Sequence, residues 1–187
     1  GYYERHWSGA EIKPALGKVT TRKRDRGVAW GSLHWQYLED LDKVTPARNT
    51  PLKLSKQVLV RRNTINGPVL EPINGPVAVG DELVGRIELR HLRNMPSRHL
   101  KDQRGSGTEP VNVLSGYKYQ DGLGYYEATR DTASHFFFDR LPEGVHVIEY
   151  ALRVQLRGEY GAGVATAQCM YAPEFNSHSA SVTLMVR

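Results

Sequence analysis

The sequence predicts an all-β chain built around an antiparallel β-sandwich. Three observations carry that prediction. Apolar and polar residues alternate over short runs, as on strands with one buried and one wet face. Turn words such as Asn66-Gly67-Pro68, Asn74-Gly75-Pro76 and Gly80-Asp81 separate these runs at the spacing of sandwich strands. Tyrosine is frequent, ten residues against three tryptophans and four phenylalanines, and it suits half-buried strands because its ring is apolar and its hydroxyl can hydrogen-bond.

Along the chain, residues 1–49 form a first block. Short strands are expected at 12–14 and 19–22, with Arg22-Lys23-Arg24-Asp25-Arg26-Gly27 as a charged turn between strands. Residues 28–42 fit two templates. Trp30, Leu33, Tyr37, Leu38 and Leu41 make a helical stripe, whereas Ala29, Gly31, Leu33, Trp35 and Tyr37 alternate as in a strand; aromatic density favours a sheet, but period alone does not separate them. Thr45-Pro46-Ala47-Arg48-Asn49-Thr50-Pro51 is the expected linker, because each proline lacks a donor and pushes its predecessor to extended geometry.

The second block, 50–187, reads as β throughout. Residues 52–60 alternate and end in Arg61-Arg62. Residues 82–92 set Leu83, Gly85, Ile87 and Leu89 against Glu82, Val84, Arg86, Glu88 and Arg90. Residues 104–108 are polar and glycine-rich, hence a loop. Residues 136–144 are an apolar stretch that ends in a turn, and strands follow at 145–150, around Arg153-Val154, and from about Val164 to Pro173, where the missing donor should end the ladder. Asn176-Ser177-His178-Ser179 is expected to turn the chain back into a last strand at 180–186.

Composition allows one domain and part of a second. With 40% hydrophobic and 24% charged residues in 187, the chain can bury a core without a metal or disulfide staple. A net charge of +5 permits anionic partners without demanding one. Cys169 is the single cysteine, so no internal disulfide forms, and no apolar run is long enough to cross a bilayer. The start at Gly1-Tyr2-Tyr3-Glu4-Arg5-His6-Trp7, without Met, reads as that of a piece of a longer protein.

Catalytic signatures are missing from the sequence. Gly122-Leu123-Gly124 and Gly161-Ala162-Gly163 lack the strand-to-helix context of a nucleotide loop, and no helix-borne His-Glu-x-x-His occurs. His91 with His99, or His135 with His146, would meet across strands, but single half-buried histidines are the plainer reading. No catalytic, cofactor or metal site is expected. Arg22, Lys23, Arg24 and Arg26 beside Trp30 and Trp35, with Arg61 and Arg62, raise a rival reading as a single-stranded nucleic-acid module; Glu39, Asp40 and Asp42 blunt that field. A carbohydrate-binding or adhesion module is the other rival.

Several uncommon words occur together in order: Val111-Asn112-Val113-Leu114-Ser115-Gly116-Tyr117, Gly122-Leu123-Gly124-Tyr125-Tyr126-Glu127, Arg130-Asp131, Phe136-Phe137-Phe138-Asp139 and Met170-Tyr171-Ala172-Pro173-Glu174. They resemble the terminal macroglobulin domain, an Ig-like sandwich, of bacterial alpha-2-macroglobulin family proteins. Gly1-Tyr2-Tyr3-Glu4, Ile12-Lys13-Pro14, Ala29-Trp30-Gly31, Trp35-Gln36-Tyr37 and Pro51-Leu52 resemble the segment after that family's thioester domain, which completes a CUB-like β-domain. The resemblance tips 28–42 to strand and implies a partial CUB-like segment (1–49) followed by the terminal sandwich (50–187). The open edges of the partial segment would then be covered by the second block or in a homodimer.

The resemblance further implies a non-catalytic role in an exported protease inhibitor of the periplasm or cell envelope. Its partners would be the thioester domain and neighbouring macroglobulin domains of the same parent chain, with target proteases met through the parent; neither nucleic acid nor a membrane span is expected. The family's thioester word, Cys-x-Glu-Gln, is absent, because Met170, Tyr171 and Ala172 follow Cys169. Cys169 is therefore expected as a small buried hydrophobe. What this piece would supply is a lid that keeps water from the thioester. Tyr125 and Tyr126, with Tyr117 behind them, are the candidates, and Glu127, Arg130 and Asp131 would orient their hairpin by ion pairing. The alternative is that these tyrosines pack the sandwich core.

Overall fold

The computed structural model describes residues 2–48, 50–92, 95–120 and 122–187, without the side chains of 95–97. It divides into two compact units, Gly1–Tyr37 and Leu38–Arg187. In the first, the described residues form 3-10 turns at Gly9–Glu11 and Pro14–Gly17 and no strand, so the strands expected at 12–14 and 19–22 are not realised. Residues 28–42 are likewise neither strand nor α-helix apart from a 3-10 turn at Leu41–Lys43. A strand exists only through a hydrogen-bonded neighbour, and none pairs with this segment among the described residues. Its large side chains stay in solvent, Trp30 at 95% and Leu38 at 102%.

The described residues of the second unit carry thirteen strands: β1 (Leu52–Thr64), β2 (Gly67–Pro72), β3 (Glu82–His91), β4 (Met95–Gln103), β5 (Thr108–Pro110), β6 (Gly116–Gln120), β7 (Leu123–Thr129), β8 (Ala133–Leu141), β9 (Gly144–Val154), β10 (Gly158–Gly161), β11 (Ala165–Cys169), β12 (Asn176–His178) and β13 (Thr183–Val186). They form an antiparallel five-stranded sheet in the order β2-β1-β3-β9-β5, a six-stranded sheet in the order β12-β11-β4-β8-β7-β6, and the pair β10-β13. The all-β sandwich read from alternation is the observed fold. Asn176, Ser177 and His178, expected as a turn, instead pair with β11 as β12, through Gln168↔Asn176 and Thr166↔His178. The strand expected to run on to Pro173 already ends at Cys169, which is buried as expected.

The core lies between the two large sheets. It is filled by Leu52, Leu54, Val58 and Val60 of β1, Leu83, Ile87 and Leu89 of β3, Leu100 of β4, Phe136 and Phe138 of β8, and Ile148 and Leu152 of β9. Lys56 falls in phase with Leu54 and Val58, so the strand period carries its ammonium inward. It arrives at a matching acid, because Asp102 is in phase with Leu100 on β4. Lys56 Nζ donates to Asp102 Oδ1 (2.5 Å) and to the carbonyls of Gln103 (2.7 Å) and Ala162 (2.8 Å). The Tyr150 hydroxyl donates to Asp102 Oδ2 at 2.5 Å. Three acceptors around Nζ match the three N–H groups that only the charged amine has. Burial pushes the Lys56 ammonium down and the Asp102 carboxyl up, and their mutual attraction opposes both shifts. Tyr150 reaches this acid because Gly85, its cross-strand partner on β3, has no Cβ to occupy the space of the ring.

No helix among the described residues is long and apolar enough to cross a membrane.

Candidate functional site: an aromatic sheet face at an open edge

The hairpin β6–β7 ends the six-stranded sheet, so β6 is an edge strand. The hairpin closes at Gln120↔Leu123, with Gly122 at φ +72°, a value that favours glycine. Strand alternation then sorts its tyrosines. Tyr117 and Tyr119 of β6 and Tyr126 of β7 point outward; Tyr117 is 83% exposed and touches Tyr126 edge-on, centroids 5.2 Å apart. Tyr125 points inward and is buried, its ring between Phe136 (5.8 Å) and Phe138 (5.6 Å). Burial, and next the charge of Glu127, push its hydroxyl up to about 12. That hydroxyl donates to Gln120 Oε1, which also accepts the Glu149 N–H from the opposite sheet. Tyr125 is therefore a core residue, while Tyr117 and Tyr126 remain available to a partner.

Glu127 also points inward, and Lys118 of the edge strand reaches it at 2.7 Å. An inward charge on an edge strand discourages indiscriminate pairing with another chain. Arg130 and Asp131 take part through their carbonyls, both of which accept from the Arg104 guanidinium; Arg104 also donates to Ser134 Oγ. Of the three residues expected to orient the hairpin by ion pairing, Glu127 has a charged partner in Lys118, and the contacts described for Arg130 and Asp131 are those of their carbonyls.

The outward tyrosines continue into a longer feature. Register places Tyr117 opposite Tyr126, Tyr126 opposite Phe137, and Phe137 opposite His99, so four rings lie in a row across β6, β7, β8 and β4. Phe137 and His99 are nearly parallel at 4.7 Å. His99 Nε2 lies 2.8 Å from His135 Nδ1, and those rings stack with 5.0 Å between centroids. Both imidazoles are held below their ordinary value of 6.5. Burial is the first cause for each; Lys101 adds to it at His99, and His99, Lys101, Arg130 and Arg104 add to it at His135. The four histidines singled out in the sequence do meet, but with partners exchanged, because His91 stacks on His146. Among the described residues no group of three or more His, Cys, Asp or Glu is arranged to hold a metal ion. Arg61 pairs with Glu82 and Arg62 with Asp81, which reduces the basic field that a nucleic-acid surface would need.

Residues 52–174 match the family model described as the bacterial alpha-2-macroglobulin MG10 domain. The chain belongs to the bacterial alpha-2-macroglobulin family. The fold of this alpha-2-macroglobulin piece is shared with solved relatives. A tyrosine-to-glycine mutant of Salmonella alpha-2-macroglobulin superposes with a TM-score of 0.60 at 19% identity, over 76% of this chain and 10% of that one. Trypsin-activated Escherichia coli alpha-2-macroglobulin gives 0.60 at 16% identity, over 77% of this chain and 11% of that one. A native Escherichia coli fragment from domain MG7 to the C-terminus gives 0.60 at 16%, over 76% of this chain and 24% of the fragment. The chain thus spans about a tenth of the longer macroglobulins it resembles. No curated protein matches it by sequence.

Proposed function

We propose that this chain is a non-catalytic part of a bacterial alpha-2-macroglobulin-like endopeptidase inhibitor, and that the outer face of its six-stranded sheet docks on the thioester domain of the parent chain. The observation that carries this reading is the outward pair Tyr117–Tyr126 at the sheet edge, exposed in the chain taken alone and held in place from behind by Lys118–Glu127. Two amphipathic rings on a rigid hairpin suit a dry contact, since they exclude water at little cost in side-chain entropy. A thioester survives only where water is kept from it. A relative of the same fold is described as reacted with methylamine, a small amine that attacks such a bond. Residues 1–49 would supply strands to a CUB-like domain whose other strands lie elsewhere in the parent, which accounts for alternation without a partner. In isolation this segment would promote homodimers. An exported parent in the periplasm or cell envelope is part of the same reading.

The test uses the full-length parent. Tyr126→Ala and Tyr117→Ala should each speed loss of the thioester to methylamine at least about tenfold, as expected when a buried contact worth about 1.4 kcal/mol or more is removed. Inactivation rates equal to wild type in both variants would remove this face from the shielding role.

A further inference from the structure

We propose that the His99–His135 contact makes the aromatic row a proton-sensitive surface, in one arrangement while the pair carries at most one charge and in another once both rings are charged. At 2.8 Å one ring nitrogen must donate and the other accept. Two imidazoliums have only donors to offer, so the contact cannot survive double protonation. The surroundings do not compensate. Lys101 on β4, Arg104 just after it and Arg130 in the β7–β8 turn add positive charge. β7 contributes Ala128 and Tyr126 to this face, and β11 contributes Thr166 and Gln168. The acid nearest in sequence, Asp102, lies three residues beyond His99 on β4, but strand alternation turns its carboxylate into the core, where it holds Lys56; Asp139 is exposed two residues beyond Phe137, and Asp131 sits beside Arg130 in the turn.

Phe137 transmits the change, because it stacks on both histidines, at 4.7 and 6.3 Å, and is the cross-strand partner of Tyr126. Parting the histidines removes the stacking that holds Phe137, and with it the support of the outward tyrosine. The lowered affinity of both rings for protons has the matching sign. Neutral forms are favoured by the fold, so the stability they add is present above 6.5 and is lost as pH falls through the folded values. That the surface meets a thioester domain rests on the docking reading; its response to protons does not.

The experiment is a histidine, phenylalanine and tyrosine ring NMR titration of the 187-residue chain from pH about 8 to about 4.5, which brackets the imidazole range. The pair should titrate in two macroscopic steps at least about one pH unit apart, with Phe137 and Tyr126 resonances moving in the second. In His135→Gln, and again in His99→Gln, the remaining histidine should titrate in a single step without that response. Two unsplit, independent titrations, or Phe137 and Tyr126 signals that ignore the second step, overturn the proposal. A second arm compares methylamine inactivation of the parent with and without His135→Gln across the same range. Expected is a wild-type excess that grows as pH falls. A flat ratio alongside the expected NMR result leaves the proton-sensitive surface standing and counts against the docking reading instead.

Discussion

Replacing Lys56 by methionine should destabilise the sandwich by about 3–5 kcal/mol, the usual cost of breaking a buried ion pair from one side. The structure explains why the upper part of that range is expected. Lys56 and Asp102 side chains are 2% and 0% exposed, so water does not reach the carboxylate once its partner is gone. Three acceptors lose their donor together: Asp102 Oδ1 and the carbonyls of Gln103 and Ala162. Among the described residues the Tyr150 hydroxyl remains to donate to the acid, through Oδ2, with the more distant charge of Arg104 as its other support. A domain of this size has a total stability of about 5–15 kcal/mol, so the loss is a large fraction of it. At about 2–4 °C per kcal/mol the melting temperature should fall by about 6–20 °C. The assay is thermal and urea unfolding followed by far-ultraviolet circular dichroism. Tryptophan fluorescence is unsuitable, because Trp7, Trp30 and Trp35 all lie outside the sandwich unit. The triple variant Lys56→Met, Asp102→Leu, Tyr150→Phe removes all three polar side chains at once, leaving the carbonyls of Gln103 and Ala162 without this donor, and should recover part of the loss, since a buried pair is commonly replaceable by apolar groups of similar volume. A single Lys56→Met variant melting within about 2 °C of wild type, less than about 1 kcal/mol for a chain of this size, would refute the reasoning.

Two further outcomes separate core from surface. Gly85→Ala should cost about 1–3 kcal/mol, because the new Cβ would lie 2.8 Å from the Tyr150 ring, which Asp102 anchors and so keeps from swinging away; urea unfolding reads this directly. Tyr125→Ala should cost about 3–5 kcal/mol as a core deletion, whereas Tyr126→Ala should cost no more than about 1.5 kcal/mol, the worth of one edge-on aromatic pair. Equal losses at the two positions would contradict the inward and outward assignment.

What could be read from the residues follows strand period. Alternation at 52–60 and 82–92 placed β1 and β3, and glycine-bearing turn words placed the bends between strands, because period two and positive-φ glycine are local properties of the chain. The same rule carried a signal that was passed over: Lys56 is in phase with Leu54 and Val58, which marks it as buried and so in need of a partner. Phe137 likewise sits between two inward phenylalanines and so must face out. Period could not decide 28–42, where alternation exists but the fold provides no neighbouring strand to pair with it.

The sequence by itself determined the all-β class and, where alternation is clear as in β1 and β3, the position of a strand and the face its side chains take, since these depend on backbone geometry over a few residues. Only the tertiary structure decided which strands lie side by side. That choice brings Lys56 to Asp102 across 46 positions, sets His99 against His135 rather than His91, and lines up Tyr117, Tyr126, Phe137 and His99 from four strands. Pairing and register are set by how both sheets bury their inner faces together, a property of the whole core that no short stretch of residues contains.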